Sequence, residues 1–409
     1  MQLSDPSAGP PRAMRPPMVI LVPAVLAALY GWAVFLTSFR HPGAIGPNYD
    51  TPGTDFMVFH TAIRLALHGD LKLLFDGDRF TALLNSNYRD VLSFPLTLRP
   101  FVHPPGFLIL MLPLAPLGFH AALALFQLVT GGALFAALRG GADAPRAALL
   151  VAAATLLSPA ASVNVLWGQT GFLTVALLAG GARLLPERPL LAGLVFGLLS
   201  IKPQHALLVP MMLIALRAWR TLFAAAVGGL LLPAAAALLF GTGIWTGWFH
   251  QAWHYASGAD PRYFLDIVMW DNSVRTCALL LGFGGTAAAL VALAALVGGA
   301  AAVYAAYRAK LAPDVRLAVL LAASTLAASH TGPYDTLLLV AAVGLLLADC
   351  GRHTTMLIWT LGLCVWLLPL AGQPAISVPA RFGPLLTVLL IAVLFRRREP
   401  EAASDPLPA

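Results

Sequence analysis

The residues of this chain best equipped for chemistry are one carboxylate, one lysine and a few short polar turns, each set beside long apolar sequence. Asp55 follows Thr54 at the head of a segment in which Phe56, Phe59, Ile63 and Leu67 recur at helical spacing. A carboxylate held at a helix start and facing water can accept a proton from a substrate hydroxyl. Its plain alternative is a first-turn acid complementing the helix dipole. Lys202 is one of three lysines and separates two apolar runs, 189–201 and 205–218. Helical runs of ~13 residues reach about 20 Å, short of a ~30 Å hydrocarbon core. Lys202 is therefore expected below the membrane surface, where an ionisable group is a functional candidate and suits an anion such as a phosphate. The competing reading is a lysine snorkelling from the end of a span.

Lys202-Pro203-Gln204-His205, Trp167-Gly168-Gln169 and Ser329-His330-Thr331-Gly332-Pro333-Tyr334-Asp335 carry amides, rings and hydrogen-bonding groups that suit a pyranose. Glycine and proline also mark any turn between helices. His103-Pro104-Pro105 reads as the entry to a span, with His103 a candidate ligand contact. Trp245, Trp248, His250, Trp253, His254 and Tyr255 fit an interfacial aromatic belt better than a zinc site, because His250 and His254 lack an obvious third ligand. Asp76-Gly77-Asp78 fits an ordinary turn. No metal site is expected, and no phosphate loop, Ser/His/Asp set or zinc helix motif occurs in the sequence.

The elements that must position these residues are membrane helices. The 409 residues are 59% hydrophobic and 11% charged, against roughly 25% charged in soluble domains. The net charge of +7 need not mean nucleic acid, since basic residues crowd the short loops that set membrane topology. Cys277, Cys350 and Cys364 suggest neither a disulfide framework nor a metal cluster. Apolar runs predict spans near 18–38, 106–138, 147–163, 170–185, 189–201, 205–218, 221–240, 279–307, 316–329, 335–349, 354–371 and 380–396. The fold class is thus an all-α polytopic membrane protein of about twelve crossings. Pro113 and Pro116 suggest that the first half of 106–138 lies along the interface.

Counting 106–138 once and 189–218 twice puts every arginine-rich short loop on one side: Arg139 and Arg146, Arg183 and Arg188, Arg217 and Arg220, Arg308 to Arg316, and Arg396 to Arg398. That side is the cytoplasm. Both termini then lie inside, with disordered tails at 1–17 and 397–409 flanking a single membrane domain at 18–396. The chemistry-bearing turns fall outside, with two long outer loops at 39–104 and 241–278. The first loop is expected to hold a short amphipathic surface helix from Thr54, as N-cap, to near Gly69.

Four stretches together resemble glycosyltransferase family 87, whose members are GT-C membrane enzymes. They are Thr54-Asp55-Phe56-Met57-Val58-Phe59-His60 with Ala66-Leu67-His68-Gly69-Asp70; His103-Pro104-Pro105 leading to Leu112-Pro113-Leu114-Ala115-Pro116-Leu117; Gly168-Gln169-Thr170-Gly171-Phe172-Leu173 through Arg188-Pro189-Leu190-Leu191-Ala192-Gly193 to Lys202-Pro203-Gln204; and His330 with Tyr334-Asp335. The chain departs from the family at His103, where tyrosine is usual, and at His60. The resemblance implies a GT-C-like bundle that transfers a hexose, typically mannose, from a polyprenyl-phosphate donor to a glycan or glycolipid acceptor on the outer face of the plasma membrane, inverting configuration. It implies Asp55 as base and Lys202 at the donor phosphate. His103, Gln169, Gln204, His330, Tyr334 and Asp335 would contact substrate, and no cofactor is expected beyond the lipid-linked sugar itself. The alternatives are a secondary transporter, a lipid-linked glycan flippase or a ligase. Transporters, however, place polar groups near the midplane on repeated broken helices, and no repeat is evident here.

Overall fold

The computed structural model describes residues 16–40, 51–92, 94–140, 145–256, 260–351, 354–371 and 381–397. The tails expected at 1–17 and 397–409 fall almost wholly outside these residues. Every regular element among them is helical. The helices are α1 (Met18–Arg40), α2 (Thr54–Leu67), α3 (Leu71–Leu74), α4 (Gly77–Asn87), α5 (Gly106–Met111), α6 (Phe119–Arg139), α7 (Pro145–Leu157), α8 (Pro159–Trp167), α9 (Gly171–Leu184) and α10 (Pro189–Gly197). They continue as α11 (Val209–Ala215), α12 (Trp219–Phe240), α13 (Gly243–Ala256), α14 (Pro261–Trp270), α15 (Val274–Leu280), α16 (Gly285–Arg308), α17 (Pro313–Ala327), α18 (Leu337–Cys350), α19 (Met356–Ala371) and α20 (Gly383–Phe395).

Among the described residues, five helical segments are long and apolar enough to cross a membrane, or six if α7 and α8, bent by 51° at their junction, form one broken span. The α16 window is only 17% buried and that of α12 22%, whereas the segment ending in α18 is 78% buried. On α12, Phe223 is 72% and Leu238 86% exposed. Apolar surface of this extent suits hydrocarbon rather than water. The core is the α17–α18 pair, where Leu317 to Ala323 and Leu337 to Ala342 are buried without interruption.

Two long apolar segments divide where the sequence carries proline, as their residues suggested. Segment 106–138 is not one helix: α5 passes into a tight turn at Leu112–Leu114, and α6 starts only at Phe119. Segment 189–218 breaks at Lys202, whose backbone sits at φ −143° between two short 3₁₀ turns. The approach to this break is fixed by close packing of small residues. A Cβ on Gly197 of α10 would lie 2.5 Å from the Gly228 backbone of α12, and one on Gly193 would meet Ala224. Small residues four apart on each helix let the backbones touch. The expected outer loop 241–278 contains helices α13, α14 and α15.

Helix α2 forms nearly as expected, but its N-cap is Gly53, not Thr54. Gly53 adopts φ +80° and donates its N–H to Leu166 O at 2.6 Å. Glycine enters this left-handed region without the Cβ penalty. Most of α2 from Phe56 to Ile63 is buried on every face, so its packing is more complete than an amphipathic stripe requires.

Candidate active site

A cavity of about 740 Å³ opens between the first-loop helices, the α8–α9 turn, the break at Lys202, the α13–α15 strap and the 329–334 turn. Asp55, His103, Gln169, Lys202, Gln204, His330 and Tyr334 all line it. These side chains run from residue 55 to residue 334, yet they meet at one volume of the size usual for small-molecule sites.

Two glycines bring Asp55 to its place. Gly53 ties the start of α2 to the end of α8, and Gly168 (φ +72°) closes α8 so tightly that a Cβ there would lie 2.5 Å from Phe56 Cβ. The Gln169 side chain then donates from Nε2 to Asp55 Oδ2 at 2.7 Å. Gln169 is itself held from behind. Gln127 Nε2 donates to the Gln169 carbonyl, Asn164 Nδ2 donates to Gln127 Oε1, and Gly171 N–H donates to Asn164 Oδ1. A carboxylate held by an amide on a buried network keeps its direction while remaining able to accept a proton.

Lys202 is buried and donates from Nζ to Asp335 Oδ1 at 2.6 Å. His205 Nε2 stands 3.5 Å from the same oxygen, and Gly332 N–H donates to Asp335 Oδ2. Nζ also lies 4.7 Å from the centre of the Tyr334 ring, within cation–π reach. Asp335 does not line the main cavity. It sits behind Lys202, against a smaller void, and acts as the lysine's counterion. An ammonium has three donors, so one bond to Asp335 leaves capacity toward the cavity.

The two cavity histidines differ. Burial, helped by the positive charge of Lys202, pushes His103 down to about 3, so it is neutral; its ring packs against Phe59 and Phe107 at 4.7 and 4.8 Å. His330 Nδ1 lies 3.4 Å from Asp271 Oδ1. Burial opposes its charge, but the carboxylate outweighs burial and raises His330 above its ordinary value. Trp167 meets Trp270 edge-on at 5.1 Å and Tyr334 at 5.9 Å, giving the cavity an aromatic wall.

Sequence reasoning missed Arg99, Tyr255, Tyr263, Trp270, Asp271 and Arg275, all of which line the cavity. Most come from segments read as an outer loop with an aromatic belt. Asp271-Asn272-Ser273 carries a turn and N-cap signal, but nothing in it points to a histidine 59 positions away. Asp76 caps α4 by accepting from Arg79 N–H, and Asp78 pairs with Arg262, so the Asp-Gly-Asp turn has an ordinary structural account. Among the described residues no three His, Cys, Asp or Glu side chains converge as metal ligands.

A sequence model of glycosyltransferase family 87 matches residues 101–329, more than half of the chain. The match includes His103, Gln169, Lys202 and Gln204 and stops one residue before His330; Asp55 lies outside it. Nothing among curated proteins or solved structures matches the chain.

Proposed function

The chain belongs to glycosyltransferase family 87, and from that premise we propose that it transfers a hexose, mannose in the first instance, from a polyprenyl-phosphate donor to a glycan or glycolipid acceptor. The transfer takes place on the outer face of the plasma membrane, in a GT-C-like domain over residues 18–396 with about twelve crossings and both ends in the cytoplasm. The observation that carries this reading is the convergence of Asp55, Gln169, Lys202, Gln204, His330 and Tyr334 on one cavity. An acid–base group and a cation in one cavity are what sugar transfer from a phosphate requires.

In this reading the acceptor hydroxyl oxygen attacks the anomeric carbon while Asp55 takes its proton. A new glycosidic C–O bond forms as the anomeric C–O bond to phosphate breaks, and that electron pair leaves on the phosphate. Attack opposite the leaving group inverts the anomeric centre. Negative charge grows on the polyprenyl phosphate, where Lys202, held by Asp335, stabilises it in a site shielded from water. Tyr334, Trp167, Gln204 and His103 contact the sugar through ring faces and hydrogen bonds. The proton on Asp55 passes to water when product leaves.

The test is incubation of the purified protein with labelled polyprenyl-phosphate mannose and a panel of glycolipid acceptors. A labelled glycolipid of inverted configuration is expected. Absence of transfer from this donor, with transfer from another lipid-linked hexose, would move the sugar assignment but not the mechanism. Movement of intact donor across a vesicle membrane without transfer would favour the flippase reading. Orientation has its own measurement: Arg89→Cys is expected to react with an impermeant thiol reagent in intact cells, and Glu187→Cys is not. The reverse labelling would turn the site toward the cytoplasm.

A further inference from the structure

The turn between α14 and α15 carries a carboxylate that the transfer chemistry leaves without a part. Asp271 is buried against the cavity and accepts four hydrogen bonds: from Ser273 N–H at 2.8 Å, Ser273 Oγ at 2.9 Å, Thr276 Oγ1 at 2.7 Å and Thr331 N–H at 2.9 Å. Asn272 N–H also donates to the Thr331 carbonyl at 2.7 Å. The 271–273 and 330–332 turns thus form one wall. Into this wall His330 brings Nδ1 to 3.4 Å from Asp271 Oδ1, while its side chain stays 37% exposed. With Nδ1 turned to the carboxylate, Nε2 is the nitrogen left for the cavity, and the partner of one ring nitrogen decides what the other can do.

We propose that Asp271 is a positioning residue of the transfer site: it fixes the His330 ring with Nδ1–H toward its carboxylate and holds an imidazolium with Nε2–H toward the cavity, where it meets an anionic oxygen of the bound substrate. This rests on the function proposed above. It adds a positive group beside Trp167 and Tyr334 in a cavity whose buried lysine is already matched by Asp335, and which Arg99 and Arg275 also line. Asp271 and Asp335 favour the imidazolium, while burial and Lys202 oppose it, and the net effect raises His330 above its ordinary value. His103, which also lines the cavity, is neutral and adds no charge against it.

The experiment measures hexose transfer by the full-length protein across about pH 5–8, the range in which histidine titrates. Wild type is expected to lose activity on the alkaline side as His330 deprotonates. Asp271→Asn is expected to lower the rate about 10- to 100-fold, the size of one charge-assisted hydrogen bond, and to move that alkaline limb to lower pH. His330→Gln should lower the rate similarly and abolish the limb. The double variant should be no slower than His330→Gln, because residues acting as one unit are not additive. Losses that multiply, or an unmoved limb in Asp271→Asn, would reduce Asp271 to a staple between two turns.

Thermal unfolding without substrate supplies a readout that does not depend on activity or on Asp271→Asn folding. A histidine whose value is raised in the fold stabilises below its ordinary value, and that stability is lost as pH rises through the raised value. Wild type should show this alkaline decline and His330→Gln should not. The same decline in both would overturn the proposal. If wild type transfers no hexose at any pH while the decline is present, the fault lies with the function and not with the pair.

Discussion

The two walls of the cavity solve the problem of a buried charge differently. On the Asp55 wall a carboxylate is held by a neutral amide, Gln169, which is braced in turn by Gln127 and Asn164. On the Lys202 wall, basic side chains face carboxylates from other segments: Lys202 faces Asp335, and His330 faces Asp271. An amide can orient either protonation state of a carboxylate, whereas a buried ion pair fixes both charges and is costly to break on one side only. In the proposed transfer the first wall is the one that takes up and releases a proton. The second sets basic groups directly against carboxylates.

This contrast predicts that charge removal separates activity from stability on one wall and couples them on the other. The largest effect is expected for Asp55→Asn, which keeps a group that can accept from Gln169 but cannot take the acceptor's proton. Turnover should fall by about 10² or more, while the unfolding midpoint in detergent stays near that of wild type. A variant retaining near-wild-type turnover would leave Asp55 as a helix-start residue. Lys202→Met comes next. It strands the Asp335 carboxylate in the interior and should cost about 3–5 kcal/mol of stability, together with weaker donor binding. Adding Asp335→Asn should restore most of the stability and none of the donor affinity. Recovery of both would place the phosphate site away from Lys202.

The smallest effect is expected at His103. Because this ring is neutral, His103→Gln should lower turnover by less than about tenfold, the worth of one neutral hydrogen bond, and leave the pH limbs in place. Its trace should appear in acid stability. The unfolded chain takes the proton at the ordinary histidine value of 6.5, the folded one only at about 3. Wild type therefore loses stability as pH falls below about 6.5, and His103→Gln should flatten that slope. A displaced alkaline limb in His103→Gln would instead make it the titrating histidine of the site.

Much of this was legible in the residues. Composition and run length gave an all-helical, membrane-type chain, and helical spacing after Thr54 gave α2 with Asp55 in its first turn. Lysine in the middle of apolar sequence marked a break that proved to be a buried cation. Local rules reached less far at the element ends. Gly53 caps α2 because of a contact with Leu166, more than a hundred residues away, whereas Pro113 and Pro116 did mark the place where α5 and α6 separate.

What the sequence determined by itself was the inventory: which segments are apolar helices, where proline breaks them, and which few polar groups stand at those breaks. Hydrophobic run length and backbone chemistry are local properties, so they can be read from neighbouring residues. Only the tertiary structure decided the partnerships. It gave Lys202 to Asp335 rather than to bulk water, seated Gln169 on Asp55, and brought Asp271 under His330. Each of these joins side chains more than fifty positions apart, and their charge and direction depend on through-space distance and burial. No spacing along the chain encodes that distance.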